Sequence, residues 1–204
     1  MAGADWPPSA DIGRLRQRAD WLKAVRRFFA ERELIEVETP VLSQAGVTDV
    51  HIESLRERDT GRWLQTSPEY AMKRLLAAGL GDCYQITRAF RAGEQGRWHN
   101  PEFTLLEWYR LGFHPDQLMD EVAALVAGFL GASGVVRKRY ADAFLDAGLP
   151  DPLVAGEAEL TRAASGHPNA MPVPAGLSRH GLLDWLFSQV VVPGLPARCF
   201  ITHY

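Results

Sequence analysis

Apolar residues near the start of the chain recur at helical spacing and predict an amphipathic helix. They lie three or four positions apart, at Leu15, Ala19, Leu22, Val25 and Phe29. This spacing places them on one face of a helix, with arginines on the other face. Ser9 or Asp11 is the candidate N-cap, and the helix is expected to run to about Glu33.

Further along the chain, apolar and polar positions alternate as in strands. Residues 83–91 and 102–110 alternate in this way, and the polar loop 92–101 separates them. The pattern predicts an antiparallel hairpin with a long connection. Shorter extended segments are expected at residues 34–39, 51–55 and 63–66.

Four more helices and a final strand complete the predicted elements. Ser67, Pro68 and Glu69 are typical of a helix start, since a hydroxyl caps, proline fits the first turn and a carboxylate suits the positive helix end. Further helices are predicted at residues 116–130, 140–147 and 178–190, and the last residues, 198–204, are typical of a strand.

Composition narrows the class of protein. Of the 204 residues, 47% are hydrophobic and 23% charged, and the net charge is -3, which is typical of a globular protein without a strongly basic nucleic-acid coat. The two cysteines have no CxxC spacing, which argues against a disulfide framework or a zinc site. No signal peptide is indicated, and the apolar stretch 122–130 is far shorter than the ~20 residues of a membrane span. We therefore expect a cytoplasmic protein.

The predicted hairpin collects an unusual set of side chains on one face. Because side chains alternate along a strand, one face is expected to hold Gln85, Thr87, Arg91, Phe103, Leu105, Glu107 and Tyr109. Arginine binds phosphate, a phenylalanine ring stacks on a base, and Glu107 and Glu69 can hold an ammonium group. The alternative is an exposed sheet face carrying ordinary salt bridges.

Three segments, in order, resemble the class II aminoacyl-tRNA synthetases, specifically their lysyl branch. LIEVETPVL (34–42), with the helix before it, is similar to motif 1, and FRAGEQGRWHNPEFTLLEWYR (90–110) is similar to motif 2. LQTSPEYAMKRLLAAG (64–79) matches the segment between them. The resemblance implies that residues 1–204 are an incomplete class II catalytic domain of the α+β class, with an antiparallel sheet flanked by helices. Motif 1 is expected at about 21–42 and motif 2 at about 83–110. The resemblance also implies a homodimer formed through motif 1.

Within that branch the chain is more similar to the short ligases that attach lysine or beta-lysine to elongation factor P. It begins about twenty residues before motif 1, which leaves no room for an anticodon-binding domain, so tRNA is not the expected partner. The implied reaction consumes ATP with Mg²⁺ and forms an aminoacyl-adenylate. Two alternatives remain: lysyl transfer to tRNA, and an inactive synthetase-like dimerisation module.

The resemblance implies a role for each residue that matches the motifs. Arg91 matches the arginine at the α-phosphate of ATP. His99 and Asn100 match residues at the triphosphate and adenine, and Phe103 matches the ring beneath adenine. The substrate lysine is expected between two pairs of residues, Glu107 with Tyr109 and Ser67 with Glu69. Glu69 has a second reading, as a carboxylate that only stabilises a helix start.

The chain departs from the family pattern in two places. Gly93 occupies the position where lysyl-tRNA synthetases have glutamate, so Glu94 is expected to take that role after a shift of one residue. Motif 3 and the acidic metal-binding segment have no counterpart in residues 132–204. We therefore expect a C-terminally truncated sequence, with the metal ligands in a segment that follows it.

Overall fold

The computed structural model describes residues 8, 10–131, 134–166 and 172–204. The chain divides into two units, Met1–Phe129 and Leu130–Tyr204. Within the described ranges, no helix combines the length and the apolar character that a membrane span requires.

The first unit begins with the predicted amphipathic helix, α1 (Ile12–Ala30). The side chain of Asp11 caps it by accepting a hydrogen bond from the Arg14 N–H (3.2 Å), while the alternative cap, Ser9, lies outside the described residues. The helix ends three residues before the predicted end. Glu33 takes a left-handed conformation (φ 60°), and the Leu34 N–H returns to the carbonyl of Phe29 (3.1 Å), which turns the chain into the first strand.

The central feature of this unit is a three-stranded sheet in the order β1-β4-β5. Strands β4 (Cys83–Phe90) and β5 (Glu102–Tyr109) pair antiparallel over their whole length, from Cys83↔Tyr109 to Phe90↔Glu102, which confirms the predicted hairpin. Strand β1 (Ile35–Glu36) pairs parallel to β4, so the sheet is mixed rather than purely antiparallel. A separate antiparallel pair joins β2 (Leu42–Ser43) to β3 (Trp63–Leu64).

The predicted strand at residues 51–55 is wrong. The side chain of Asp49 accepts a hydrogen bond from the His51 N–H (2.8 Å), and the Asp49 carbonyl accepts one from the Ile52 N–H (3.4 Å). This turn at an aspartate competes with strand pairing. The only pairing nearby, among the described residues, is an isolated bridge between Arg56 and Trp63.

Helices pack on one face of the sheet through an aromatic cluster. Phe29 of α1 is completely buried, stacks on Tyr84 (ring centroids 4.6 Å apart) and contacts Trp108 (5.4 Å). Leu125 of α3 (Pro115–Leu130) packs in the same cluster. Because side chains alternate along β4 and β5, Gln85, Thr87, Leu105 and Glu107 face the opposite side. Helix α2 (Glu69–Ala77) confirms the predicted helix after Ser67.

The second unit has its own core. Its two strands, β6 (Val136–Arg139) and β7 (Cys199–Thr202), pair in parallel. The helices are α4 (Tyr140–Asp146), α5 (Glu157–Gly166), α6 (Arg179–Leu186), a π-helical turn (Phe187–Val191) and the short α7 (Val192–Gly194). The predicted helices near 140 and 178 and the final strand are confirmed, whereas β6 and α5 were not predicted.

We expect Phe29→Ala to destabilise the first unit strongly, because it empties the centre of an aromatic cluster. A buried Phe→Ala change costs about 3–5 kcal/mol. Leu15→Ala on the same helix, where Leu15 is 44% exposed, is the matched control and should cost much less. Urea unfolding followed by tryptophan fluorescence measures both. Equal losses for the two variants would show that α1 is not held by this cluster.

Candidate active site

A pocket of about 480 Å³ lies on the face of the sheet opposite the aromatic cluster, beside the start of α2. Four of the predicted site residues line it: Ser67, Glu69, Arg91 and Glu107. The loop before β3 contributes Thr48 and Asp49, and α2 contributes Tyr70, whose hydroxyl lies 2.7 Å from that of Thr48. The pocket therefore joins the start of α2 to the β4–β5 hairpin.

Glu69 and Glu107 line the pocket, and together with Tyr109, which contacts Glu107, they are here called the acidic end. The Tyr109 hydroxyl donates a hydrogen bond of 2.6 Å to Glu107 Oε1. Burial raises the pKa of Glu107, the Tyr109 hydrogen bond opposes this shift, and the nearby charge of Glu69 adds to it. Burial and the hydrogen bond to Glu107 raise the pKa of Tyr109. Two carboxylates with few local donors form a site that a cation would stabilise.

Glu69 already has a cationic neighbour. Lys73 Nζ lies 2.6 Å from Glu69 Oε1, one helical turn further along α2. The hydrogen bond and the charge of Glu69 raise the pKa of Lys73, and Glu107 adds to the shift. The Glu69 N–H also donates to the Ser67 hydroxyl (3.3 Å). Glu69 thus contributes to the helix start and faces the pocket, so its two predicted readings are compatible.

Arg91 also lines the pocket, and together with Glu94 and Phe103, which contact it, it is here called the arginine end. The Arg91 guanidinium lies 5.1 Å from the centroid of the Phe103 ring, and Arg91 Nη1 lies 3.6 Å from Glu94 Oε1. Arg91 Nε donates to the carbonyl of Thr66 (3.4 Å). These contacts hold a half-buried guanidinium beside an aromatic ring, an arrangement suited to a planar anionic ligand.

Gly93 accounts for the departure from the family pattern in the loop. It has a positive φ of 74°, a conformation that is strained for glutamate but not for glycine. The turn brings the next residue, Glu94, against Arg91. The geometry is thus compatible with the predicted shift of one residue, and the role of Glu94 stays a prediction.

The structure does not bring His99 and Asn100 to the arginine end. Both are exposed, in a loop closed by backbone hydrogen bonds between Gly96 and His99 (3.1 and 3.3 Å). Within the described parts of the chain, neither side chain forms a hydrogen bond or an ion pair. His99 and Asn100 can therefore contact a nucleotide only if the nucleotide reaches this exposed loop.

Sequence reasoning missed several residues that support the site. Gln65 is buried and donates to the Thr87 hydroxyl (3.0 Å) and to the carbonyl of Arg88 (2.8 Å). Thr39 donates to Gln85 Oε1 (2.9 Å). The contact of Lys73 with Glu69 was predictable from the sequence, since glutamate four residues before lysine forms a favourable helical pair. The hydrogen bonds of Gln65 and Thr39 join residues far apart in the sequence, so no local pattern predicted them.

A site for a metal ion is not evident among the residues that the structure describes. They contain no group of three or more His, Cys, Asp or Glu side chains placed to hold one. A magnesium ion carried on phosphate oxygens needs few protein ligands, but none can be assigned here.

The mixed α+β fold agrees with the class II synthetase domain that the sequence resembles, and comparison with known families shows the same class. Residues 11–144 match the family model for "tRNA synthetases class II (D, K and N)". Because the match covers more than half of the chain, the chain belongs to this family.

Curated relatives narrow the comparison. Proteins named "Elongation factor P--(R)-beta-lysine ligase" are similar along nearly the whole chain. The one from Vibrio cholerae is 44% identical over 201 residues, 95% of this chain and 62% of the relative. Those from Haemophilus influenzae and Yersinia enterocolitica are 46% and 44% identical and cover 92% and 98% of this chain. The chain spans only 60–65% of the length of these relatives.

We expect Glu107→Gln to raise the thermal unfolding midpoint at neutral pH. The folded-state pKa of Glu107 is raised, so its ionisation costs stability, and this cost grows as the pH rises through that pKa. Glutamine cannot ionise but still accepts the Tyr109 hydrogen bond. The gain should be a few degrees at pH 7 and should vanish below the ordinary glutamate pKa of 4.5.

Glu102→Gln is the control for this prediction, because Glu102 lies on the same strand with a 55% exposed side chain. It should change the midpoint little. A Glu107→Gln midpoint below that of the wild type at pH 7 would show that the Glu107 carboxylate is stabilised in the fold.

Proposed function

We propose that this chain holds the ATP-binding and lysine-binding part of a ligase that activates lysine or beta-lysine as an adenylate. The acceptor we propose is a lysine side chain of elongation factor P. The observation that carries the proposal is that an arginine end and an acidic end lie on one face of one hairpin. The names of the relatives support the choice of amino acid and acceptor.

The arginine end suits the nucleotide. Arg91 is positioned to bind the α-phosphate, while the Phe103 ring offers a surface for adenine. As the amino-acid carboxylate attacks the α-phosphorus, a P–O bond forms, the bond to pyrophosphate breaks, and negative charge grows on the phosphate oxygens. A fixed guanidinium stabilises that charge more than it stabilises the ground state. Mg²⁺ neutralises the phosphates when bound, but no step is assigned to it here.

The acidic end suits the amine of the substrate. Glu107 is half-buried and held by Tyr109, so its carboxylate is oriented before the ligand arrives and little ordering is needed on binding. Glu69 lines the same pocket and forms an ion pair with Lys73. An ammonium between Glu69 and Glu107 relieves the repulsion between them. In the second step, the acceptor lysine amine attacks the adenylate carbonyl and releases AMP.

The same proposal includes the cellular compartment and the oligomeric state of the chain. We place it in the cytoplasm, as part of a class II catalytic domain that forms a homodimer through residues 21–42. Exposed apolar side chains on and near α1 support the dimer: Ile12, Leu15, Trp21 and Ile35 are between 44% and 56% exposed. A second candidate, lysyl transfer to tRNA, is favoured by the family description, which includes the lysine enzymes.

We expect Arg91→Ala to weaken ATP binding by at least about tenfold, because a charge-assisted contact contributes on the order of 1.5–3 kcal/mol. Isothermal titration with ATP and Mg²⁺, with and without lysine, measures the effect. Arg88→Ala is the matched control, since Arg88 lies on the same strand, pairs with Glu102 and is 56% exposed. An Arg91→Ala variant that binds ATP with wild-type affinity would show that Arg91 does not bind the nucleotide.

The acceptor is tested by incubating the chain with ATP, Mg²⁺ and labelled lysine or beta-lysine, with elongation factor P in one reaction and tRNA in the other. We expect label on elongation factor P. Label on tRNA alone would favour the second candidate. No transfer, together with intact ATP and lysine binding, would restrict the chain to the binding and activation steps.

A further inference from the structure

A buried carboxylate behind the sheet holds the end of β5. Glu121 of α3 is 7% exposed. Its Oε2 accepts a hydrogen bond from Trp108 Nε1 (3.0 Å), and its Oε1 lies 3.4 Å from Arg110 Nε. Trp108 and Arg110 are the two neighbours of Tyr109, so one carboxylate holds β5 on both sides of that residue.

Arg110 extends this contact to the elements around the end of the strand. Its Nη1 lies 3.0 Å from Asp82, just before β4, and donates to the carbonyl of Arg32, just after α1 (3.3 Å). The Arg32 guanidinium also approaches Glu121 Oε1 (3.8 Å). Glu121 thus lies at a junction of α1, α3, β4 and β5 in the first unit.

A cluster of buried ions is a costly route to stability, since desolvation offsets much of the attraction and apolar replacements are often at least as stable. What this cluster supplies is geometry. Side chains alternate along a strand, so holding Trp108 and Arg110 at the back fixes the direction in which Tyr109 and Glu107 point at the front. Tyr109 must lie at the correct angle to donate its 2.6 Å hydrogen bond to Glu107.

We propose that Glu121 is a positioning residue for the acidic end, acting through Trp108 and Arg110 to orient Tyr109 and Glu107 toward the substrate amine. This inference rests on the proposed function for the identity of the ligand. The arginine end is held separately, through the contact of Arg91 with Thr66, and Phe103 lies four residues from Glu107, about 13 Å along the strand. A substitution of Glu121 should therefore weaken binding of the substrate amine and leave binding of the nucleotide unchanged.

The test uses Trp108→Phe, which removes the indole donor but keeps an aromatic ring in the core, and Glu121→Gln, which keeps an acceptor but removes the charge. We expect both variants to bind lysine about tenfold more weakly, the loss typical of one misplaced charged hydrogen bond, with ATP affinity unchanged. In the chain without ligand, the ¹³Cζ resonance of Tyr109 should move toward that of an exposed tyrosine.

Leu106→Val is the control, because Leu106 packs in the same aromatic cluster and its apolar side chain forms neither a hydrogen bond nor an ion pair with Glu121. It should lose stability but keep its lysine affinity and its Tyr109 resonance. Equal losses of lysine and ATP affinity in Trp108→Phe and Glu121→Gln, or an unmoved Tyr109 resonance in both, would overturn the positioning role.

A wild-type chain that binds no lysine would refute the proposed function instead. The Tyr109 resonance would then still decide whether Glu121 orients the end of β5.

Discussion

The register of β4 against β5 is the constraint on which the site depends. With Cys83 opposite Tyr109 and Gln85 opposite Glu107, alternate residues of both strands face the side of the sheet that carries the pocket. A slip of one residue would exchange the two faces, sending Glu107 into the aromatic core and Trp108 into the pocket. The stacking of Phe29 on Tyr84 opposes such a slip, because the stacking requires the aromatic residues to lie on the face of the sheet that the helices cover.

The two ends of the pocket differ in how their charges are managed. Arg91 keeps a counterion in Glu94 and a backbone acceptor in Thr66, so it is stable without a ligand. Glu107 has Tyr109 as its hydrogen-bond donor, and burial raises the pKa of its carboxyl group. This unfavourable charge is expected at a binding site, where the missing partner is supplied by the ligand.

Local patterns predicted most of the fold around the site. The hairpin was predictable because alternation over eight positions is hard to mistake, and α1 because its apolar spacing and its cap at Asp11 agree. The strand predicted at 51–55 failed because the side chain of Asp49 competes for the backbone. Strand β6, with the sequence VRKR, carries no alternation of apolar residues, since its pairing with β7 is a long-range event.

The candidate site was predictable where a motif fixed it and not where tertiary contacts did. Arg91, Phe103, Glu107 and Tyr109 fall on one face by strand alternation alone. Glu121 gave no signal, because an acidic residue on a helix is expected in solvent, and only the fold places it behind Tyr109. His99 and Asn100 lie in an exposed loop whose position relative to a ligand cannot be read from spacing.

Backbone and side-chain NMR shift mapping tests most directly whether one hairpin binds an amine at one end and a nucleotide at the other. We expect lysine to perturb Glu69, Glu107 and Tyr109, and ATP with Mg²⁺ to perturb Arg91 and Phe103, with little overlap. Shifts confined to other surfaces, or none with either ligand, would contradict the account.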